Sequence, residues 1–218
     1  MQELIAGLDE AGRGPVLGPM VVCGVAFRQE RLGELEEMRV RDSKLLSPRR
    51  RSEFAGLIRE KADLCELVEI SAGEIDDFRL VKKIKLNQVE AMQFARVINR
   101  LGPSRAYVDS ADVNPSRFSE DIASHLSARV EITSEHHADE NYPLVSAASI
   151  LAKVRRDERV DELRERHGEL GSGYPSDPRT IRFLERWVRE HGELPDFARR
   201  CWVTAQRILA ECAQRKLE

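Results

Sequence analysis

The chain has 218 residues, of which 41% are hydrophobic and 33% are charged, and its formal net charge is −3. This balance supplies both a core and a solvated surface, which excludes a disordered or collagen-like chain. The longest mainly apolar run, residues 16–27, contains two glycines and a proline and is shorter than the roughly 18 to 20 residues of a spanning helix, so we expect no membrane span.

Runs of apolar and β-branched residues predict strands, and helical periodicity with start and stop signals predicts helices. In the first third of the chain the predicted elements are two strands, a helix and a third strand, over residues 4–8, 20–27, 48–61 and 64–71. The helix is expected to begin where Ser47 offers an N-cap and Pro48 fills the first helical position.

Helices and strands alternate in the next part of the chain, and helices dominate its end. The predicted helices cover residues 84–101, 115–126, 142–167, 179–191 and 197–216, and the predicted strands cover residues 106–109 and 129–133. A glycine-rich loop is expected over residues 168–178. This alternation is typical of α/β folds.

The negative charge is distributed unevenly. Residues 63–150 carry a net charge of −6, whereas residues 39–51 hold six basic residues and one acid. Such a basic run is compatible with a segment that follows a polyanion and equally with a solvated loop. A negative total therefore does not by itself exclude a nucleic-acid substrate.

Three pairs of carboxylates lie at the predicted ends of elements: Asp9 with Glu10, Asp109 with Asp112, and Asp139 with Glu140. Carboxylates that are brought together repel unless cations compensate, so these pairs predict a site for Mg²⁺ or Mn²⁺. Two such ions about 3.5 to 4 Å apart can assist phosphodiester cleavage. An N-cap role for Asp139 and a turn role for Asp109 fit the residues equally well.

Adjacent strand residues point to opposite faces, so Asp9 and Glu10 can share an ion only if the strand ends there or Glu10 leans around it. The glycines of Gly12-Arg13-Gly14 allow a ligand to approach the backbone closely, although an ordinary tight turn has the same pattern. Tyr174, flanked by turn-forming residues, is a candidate for stacking on a sugar or base.

Six motifs occur in a fixed order along the chain. They are DEAGRGP from Asp9, DSKLLS from Asp42, VDS from Val108, EHHAD-x-x-YP from Glu135, SAASILAKVRRD from Ser146 and GSGYPSDP from Gly171. Together they closely resemble the ribonuclease HII family, in the pattern of its archaeal branch. The resemblance covers residues 4 to about 180.

This resemblance implies an α/β fold of the ribonuclease H type, a mixed sheet flanked by helices, with a C-terminal helical extension. Residues 1–166 would form the catalytic domain, and residues 167–218 would form a loop and helical region that helps to clamp the duplex. The family's catalytic carboxylates fall on Asp9, Glu10, Asp109 and Asp139. They are expected to bind two Mg²⁺ or Mn²⁺ ions during catalysis.

The implied activity is that of an endoribonuclease that cuts on the 5′ side of ribonucleotides, in RNA–DNA hybrids and at single ribonucleotides in duplex DNA, leaving 5′-phosphate and 3′-hydroxyl ends. Gly12, Arg13 and Gly14 would sense the 2′-hydroxyl, and Tyr174 would pack against the following nucleotide. Lys44 is a candidate phosphate contact. The alternatives are a structure-selective DNA nuclease of the same fold and a catalytically silent hybrid-binding module.

Some archaeal relatives end in a sliding-clamp peptide with two terminal aromatic residues. Here Gln206 and Leu209 match its start, but Cys212 and Ala213 stand in the aromatic positions, which argues against clamp binding by this route. The N-terminal residues show no basic leader with a cleavage site, so we expect a cytoplasmic location. We also expect a monomer.

Overall fold

The five strands of the protein form one mixed sheet in the computed structural model, which describes residues 3–38 and 47–214. They are β1 (Leu4–Ala11), β2 (Met20–Arg28), β3 (Leu64–Ile70), β4 (Arg105–Asp109) and β5 (Glu131–Glu135). The spatial order is β3-β2-β1-β4-β5; β1 is antiparallel to β2 and parallel to β4, and β4 is parallel to β5. The predicted mixed α/β sheet is confirmed.

The α-helices within the described residues are α1 (Leu32–Glu37), α2 (Pro48–Lys61), α3 (Ala72–Asp76), α4 (Leu86–Leu101), α5 (Pro115–Ala123), α6 (Ala138–Asn141), α7 (Pro143–His167), α8 (Pro178–His191) and α9 (Val203–Gln214). A π-helical turn, Asp77–Val81, continues from α3. No described helix has both the length and the apolar character required to cross a membrane.

Local sequence signals account for several of these boundaries. The Ser47 side chain accepts a hydrogen bond from the N–H of Arg50 at the start of α2, as predicted. The prediction missed α3, although Ser71 and Glu74 form a capping box at its start. It also began β5 two residues early, because pairing with β4 starts only at Glu131.

The predicted start of the last helix at Phe197 was wrong, since α9 begins at Val203. Backbone groups before α9 bond to an earlier loop instead. Phe197 accepts from the N–H of Gly18, and Arg199 donates its own N–H to Val16. Backbone groups that form these bonds cannot also form the hydrogen bonds of a helix, so the residues between Phe197 and the start of α9 are not helical.

The chain divides into two compact units. The first comprises Met1–Ala11, Val21–Glu69 and Leu86–Arg155, and it contains most of the sheet. One of its apolar clusters packs residues of β1 and β2 with the first half of α7. Gly7 permits this contact, because a Cβ at Gly7 would lie 2.2 Å from the backbone carbon of Leu144.

The second unit comprises Gly12–Met20, Ile70–Lys85 and Arg156–Glu218. Its apolar core joins Val16 and Leu17 to residues of α8 and α9. The unit thus combines segments that are far apart in the sequence. The division into a catalytic region, 1–166, and a duplex-clamping region, 167–218, is a functional one and stays a prediction.

Replacing Gly7 with alanine should destabilise the fold by more than about 3 kcal/mol, because the new methyl group would overlap the backbone of α7. Gly56→Ala is the matched control, since a Cβ there meets nothing within 4 Å inside α2. This control should be neutral or stabilise by up to about 1 kcal/mol. Urea unfolding of both variants measures the difference, and equal midpoints would refute the close packing of β1 on α7.

Candidate active site

Asp9 and Asp109 lie next to each other where the parallel pairing of β1 with β4 ends. The pairing of β1 with β4 runs in register to Leu8 opposite Val108, so each aspartate is the next residue on its strand. Equivalent positions on neighbouring strands point to the same face of a sheet. The register therefore directs two carboxyl groups to one face at one edge of the sheet.

Burial dominates the electrostatics of Asp9, whose exposed fraction is 5%. Loss of hydration, together with the negative charge of Asp109, raises the pKa of its carboxyl group to about 7. A hydrogen bond from Ser149, the charge of Lys153 and the N–H of Glu10, 2.7 Å from Oδ1, lower it. A second negative charge next to Asp9 is therefore energetically unfavourable without a cation.

Helix α7 supplies the groups that partly offset this charge. Ser149 is fully buried, and the Nζ atom of Lys153 donates a hydrogen bond to its Oγ atom over 2.7 Å. The two residues are four apart, which places them on the same face of the helix. A short chain of polar groups thus connects the ammonium group of Lys153 with the Asp9 carboxylate.

Glu10 belongs to the opposite face of the strand. β1 continues to Ala11 and pairs with β2, and Glu10 lies opposite Val22. The strand therefore does not end at the two acids, and its pleat separates the directions of their side chains. Glu10 can join Asp9 at a common ion only by leaning around the strand.

Asp139 follows a bend that is connected to Asp109. His137 has a left-handed backbone, with a φ of 57°, and the N–H of Ala138 donates to Asp109 Oδ1 over 2.9 Å. Asp139 is 5% exposed. Its carboxylate oxygen lies within 4.8 Å of potential ligand atoms of His137 and Glu140. Among the described residues, His137, Asp139 and Glu140 are the three potential metal ligands whose ligand atoms all lie within 4.8 Å of one another.

The donor chemistry of these residues fits a hard divalent cation. Asp9, Asp109 and Asp139 offer carboxylate oxygens, the donors that Mg²⁺ and Mn²⁺ prefer, and two of these residues are almost completely buried. Hydrogen bonding to Asp109 ties the Asp139 turn to the strand edge. A bound cation would also remove the unfavourable interaction between the carboxyl groups of Asp9 and Asp109.

Asp112, which the sequence groups with Asp109 as a carboxylate pair, has a structural role. It is 3% exposed and accepts hydrogen bonds from the side chains of Asn87 and Arg117 and from the N–H of Asn114. The N–H of Asn114 and the Asn87 amide, together with Arg117, hold its pKa at about 2. Its partners thus fix the turn after β4 and the start of α5.

The predicted ribose-sensing residues lie in the second unit, in a loop over residues 12–18. Gly12 has a φ of 85°, and a Cβ there would be 2.6 Å from the carbonyl oxygen of Pro19, so glycine is required. Gly14 is exposed, and a Cβ on it would lie 3.4 Å from the Tyr174 ring. The structure thus brings Tyr174 against the glycine loop, as its proposed role needs.

Backbone bonds and one arginine hold the Tyr174 loop. The carbonyl oxygen of Gly173 accepts from the N–H groups of Val16 and Leu17, at 2.8 and 3.2 Å. The guanidinium group of Arg156 lies 5.4 Å from the centre of the Tyr174 ring and donates to the carbonyl oxygen of Ser172 over 2.7 Å. The ring itself remains 40% exposed and is accessible for stacking.

Lys44, the predicted phosphate contact, lies outside the described residues. Sequence reasoning also missed residues that support the site: Ser149, Arg156, Arg199 and Trp202. A signal existed for Ser149, which is four residues before Lys153 in a predicted helix. No local pattern marks Arg199 or Trp202, because their partners are more than 180 residues away in the sequence.

Comparison with known proteins gives consistent matches. The sequence model of the family "Ribonuclease HII" matches residues 6–205. A ribonuclease HII of Methanoregula boonei is 47% identical over 214 residues, which cover 98% of each chain. The crystal structure of ribonuclease H2 from Pyrococcus horikoshii matches with a TM-score of 0.91 and 39% identity, over 97% of this chain and 99% of that one.

A third match is a structure of the PCNA:RNase HII complex from Archaeoglobus fulgidus. Its TM-score is 0.81 and its identity 42%, over 91% of this chain and 95% of that one. These matches include segments of both compact units.

Asp9→Asn should stabilise the metal-free protein at pH 8 and have little effect at pH 4. The pKa of Asp9 rises from 3.8 to about 7 on folding, so the unfolded chain loses this proton first, and the folded state loses stability as the pH rises through that interval. Asparagine avoids the loss, which is on the order of 2 to 4 kcal/mol. Urea unfolding in EDTA at both pH values measures it.

Asp121→Asn, a change of the same type in α5, is the control for the substitution itself. If Asp9→Asn gave the same stability difference at pH 4 and pH 8, the burial of an ionisable Asp9 against Asp109 would be refuted.

Proposed function

The chain belongs to the ribonuclease HII family and is therefore a metal-dependent ribonuclease that hydrolyses phosphodiester bonds, and we propose that it cuts RNA–DNA hybrids and duplex DNA with single embedded ribonucleotides. The archaeal character of the sequence is confirmed by the relatives from Methanoregula and Pyrococcus. The substrates, the position of the cut and the assignment of residues are our proposal.

The contact between Gly14 and Tyr174 is the observation that best supports a ribonucleotide-containing substrate. RNA differs from DNA at one sugar by its 2′-hydroxyl, and a glycine backbone allows a peptide group to come within hydrogen-bond distance of that group. An aromatic ring next to it can stack on the sugar or base of the following nucleotide. The 3.4 Å approach of Tyr174 to the Cβ position of Gly14 supports a loop that reads one ribose.

We assign metal binding and catalysis to Asp9, Glu10, Asp109 and Asp139. When bound, two Mg²⁺ or Mn²⁺ ions would supply the activation of a water molecule and the stabilisation of the departing 3′-oxygen. Ser149 and Lys153 orient Asp9, and the N–H of Ala138 orients Asp109. The cut falls on the 5′ side of the ribonucleotide. The ribonucleotide keeps a 5′-phosphate, and the preceding nucleotide is left with a 3′-hydroxyl.

Two other functions have less support. A structure-selective DNA nuclease of the same fold would need no glycine loop to read a 2′-hydroxyl. A catalytically silent hybrid-binding module would have no use for the acids at all four matching positions. The assay below separates both from the proposed function.

We propose that residues 206–213 do not serve as a sliding-clamp peptide. The structure of the Archaeoglobus relative is that of a complex with PCNA. In this chain Leu209 and Cys212 pack against the apolar core of the second unit, and the aromatic pair is absent from the expected positions. The expectations of a monomer and of a cytoplasmic location stay predictions, as does the phosphate contact of Lys44.

A duplex with one ribonucleotide should be cut in Mg²⁺ or Mn²⁺ but not in EDTA, and the cut should map to the 5′ side of the ribonucleotide. An all-DNA duplex of the same sequence should remain intact, because it lacks the 2′-hydroxyl. Denaturing gel electrophoresis of end-labelled strands gives the position of the cut and the chemistry of its ends.

Asp109→Asn is the inactive control, and we expect less than about 1% of the wild-type rate with hybrid binding retained, since a neutral amide is a much weaker ligand for a hard cation. Asp121→Asn should keep the full rate. Cleavage of all-DNA duplex at an equal rate would favour the DNA nuclease. Hybrid binding without cleavage in either ion would favour the silent module.

Tyr174→Ala should reduce cleavage at a single embedded ribonucleotide by about tenfold or more, because the stacking of one base on an aromatic ring contributes about 1 to 3 kcal/mol. Cleavage within a long RNA strand should fall less, since many neighbouring sites remain. Tyr174→Phe keeps the ring and should retain most of the activity. Steady-state rates on the two substrates test this, and an equal loss on both would remove Tyr174 from junction recognition.

A further inference from the structure

We propose that Arg199, together with Trp202, is a positioning residue that fixes the loop of residues 12–18 for recognition of the ribose. The inference rests on the proposed function, because it concerns how the loop of residues 12–18 selects a ribonucleotide over a deoxyribonucleotide. All of the groups involved belong to the second unit. The proposed role follows from where the hydrogen-bond donors of the two side chains go.

Arg199 is completely buried, and its guanidinium group donates to three backbone carbonyl oxygens of the loop. Nη2 lies 2.5 Å from the oxygen of Gly12, and Nη1 lies 2.9 Å from that of Arg13. Nε and Nη2 approach the oxygen of Gly18 at 3.2 and 3.1 Å. One planar group thus connects both ends of the loop.

Trp202 completes this set of contacts. Its Nε1 atom donates to the carbonyl oxygen of Gly14 over 3.0 Å, and the Arg199 guanidinium lies 4.8 Å from the centre of the indole ring. The side chains of Arg199 and Trp202 therefore bind the carbonyl oxygens of Gly12, Arg13 and Gly14 in succession. The glycine motif is held through its main chain.

Because peptide groups are planar, the hydrogen bonds to the loop's carbonyl oxygens also determine where the loop's backbone N–H groups point. In a trans peptide the carbonyl oxygen and the following N–H point in opposite directions, and the described chain has no cis peptide bond. Because the carbonyls of Gly12 and Arg13 point to Arg199, the N–H groups of Arg13 and Gly14 point away from it. The N–H of Gly14, the exposed residue of the motif, is thus directed away from Arg199, where it can meet a sugar hydroxyl.

The shape of the arginine side chain matters for this task. Its five N–H donors lie in a fixed plane, whereas lysine has one ammonium group on a flexible stem. Lysine at this position could reach one carbonyl oxygen well, but not three that belong to both ends of the loop. A buried cation also needs these acceptors, since it has lost its hydration. The loop and Arg199 thus stabilise each other.

The test compares affinities for a duplex with one ribonucleotide and for the same duplex in all-DNA form, with Ca²⁺ in place of Mg²⁺ to suppress cleavage. Fluorescence anisotropy gives both constants and hence their ratio. The variants are Arg199→Lys and Trp202→Phe. The control is Trp187→Phe, which changes the other tryptophan of the chain, in α8, where it packs on Phe183 and Phe197.

We expect the preference for the ribonucleotide to fall at least about fivefold in Arg199→Lys and about threefold in Trp202→Phe, with the affinity for all-DNA duplex changed less than twofold. Trp187→Phe should keep the wild-type ratio. Because Trp202 is only partly buried, Trp202→Phe decides the question if Arg199→Lys does not fold.

A merely structural role would lower the melting temperature and both affinities together. An unchanged ratio in folded Trp202→Phe, or an equal loss of the ratio in Trp187→Phe, would overturn the proposal. If the wild-type protein itself neither prefers nor cuts the ribonucleotide-containing duplex, the proposed function fails instead. The two failures are therefore distinguishable.

Discussion

The burial of one carboxyl group next to another is the constraint on which the candidate site depends. Parallel pairing of β1 with β4 brings Asp9 and Asp109 to the same edge and face of the sheet, and burial of Asp9 removes the water that would hydrate its charge. In the metal-free protein this raises the pKa of Asp9. The strand register, which the apolar core fixes, thus creates a site that a divalent cation would stabilise.

The packing of α7 against the sheet moderates the rise in the pKa of Asp9. Gly7 has no side chain, so the backbone at Leu144 approaches β1 closely, and the same helix carries Ser149 and Lys153. Their hydrogen bond and charge lower the pKa of Asp9 without neutralising the effect of burial. In the second unit, the loop of residues 12–18 has few ladder bonds of its own, and side chains from before α9 satisfy its carbonyl groups.

Sequence patterns predicted what local chemistry determines. The N-cap at Ser47, the strand that ends in Asp109 and the glycine loop next to Tyr174 each have a short-range signal. The sequence-based prediction failed where contacts with other parts of the chain determine the local structure. The start of α9 depends on bonds to Val16 and Gly18, and the burial of Asp112 depends on Asn87 and Arg117. Arg199 has its role only because the fold joins residues 187 positions apart.

The central proposal is that Asp9 and Asp109 form part of a divalent metal site whose cation replaces a proton. Calorimetric titration of the metal-free protein with Mn²⁺ at pH 7, in two buffers of different ionisation enthalpy, measures both the affinity and the protons released. We predict binding with release of a substantial fraction of one proton, and weaker binding without this release in Asp9→Asn. Equal affinity and equal proton release in the two proteins would contradict the account.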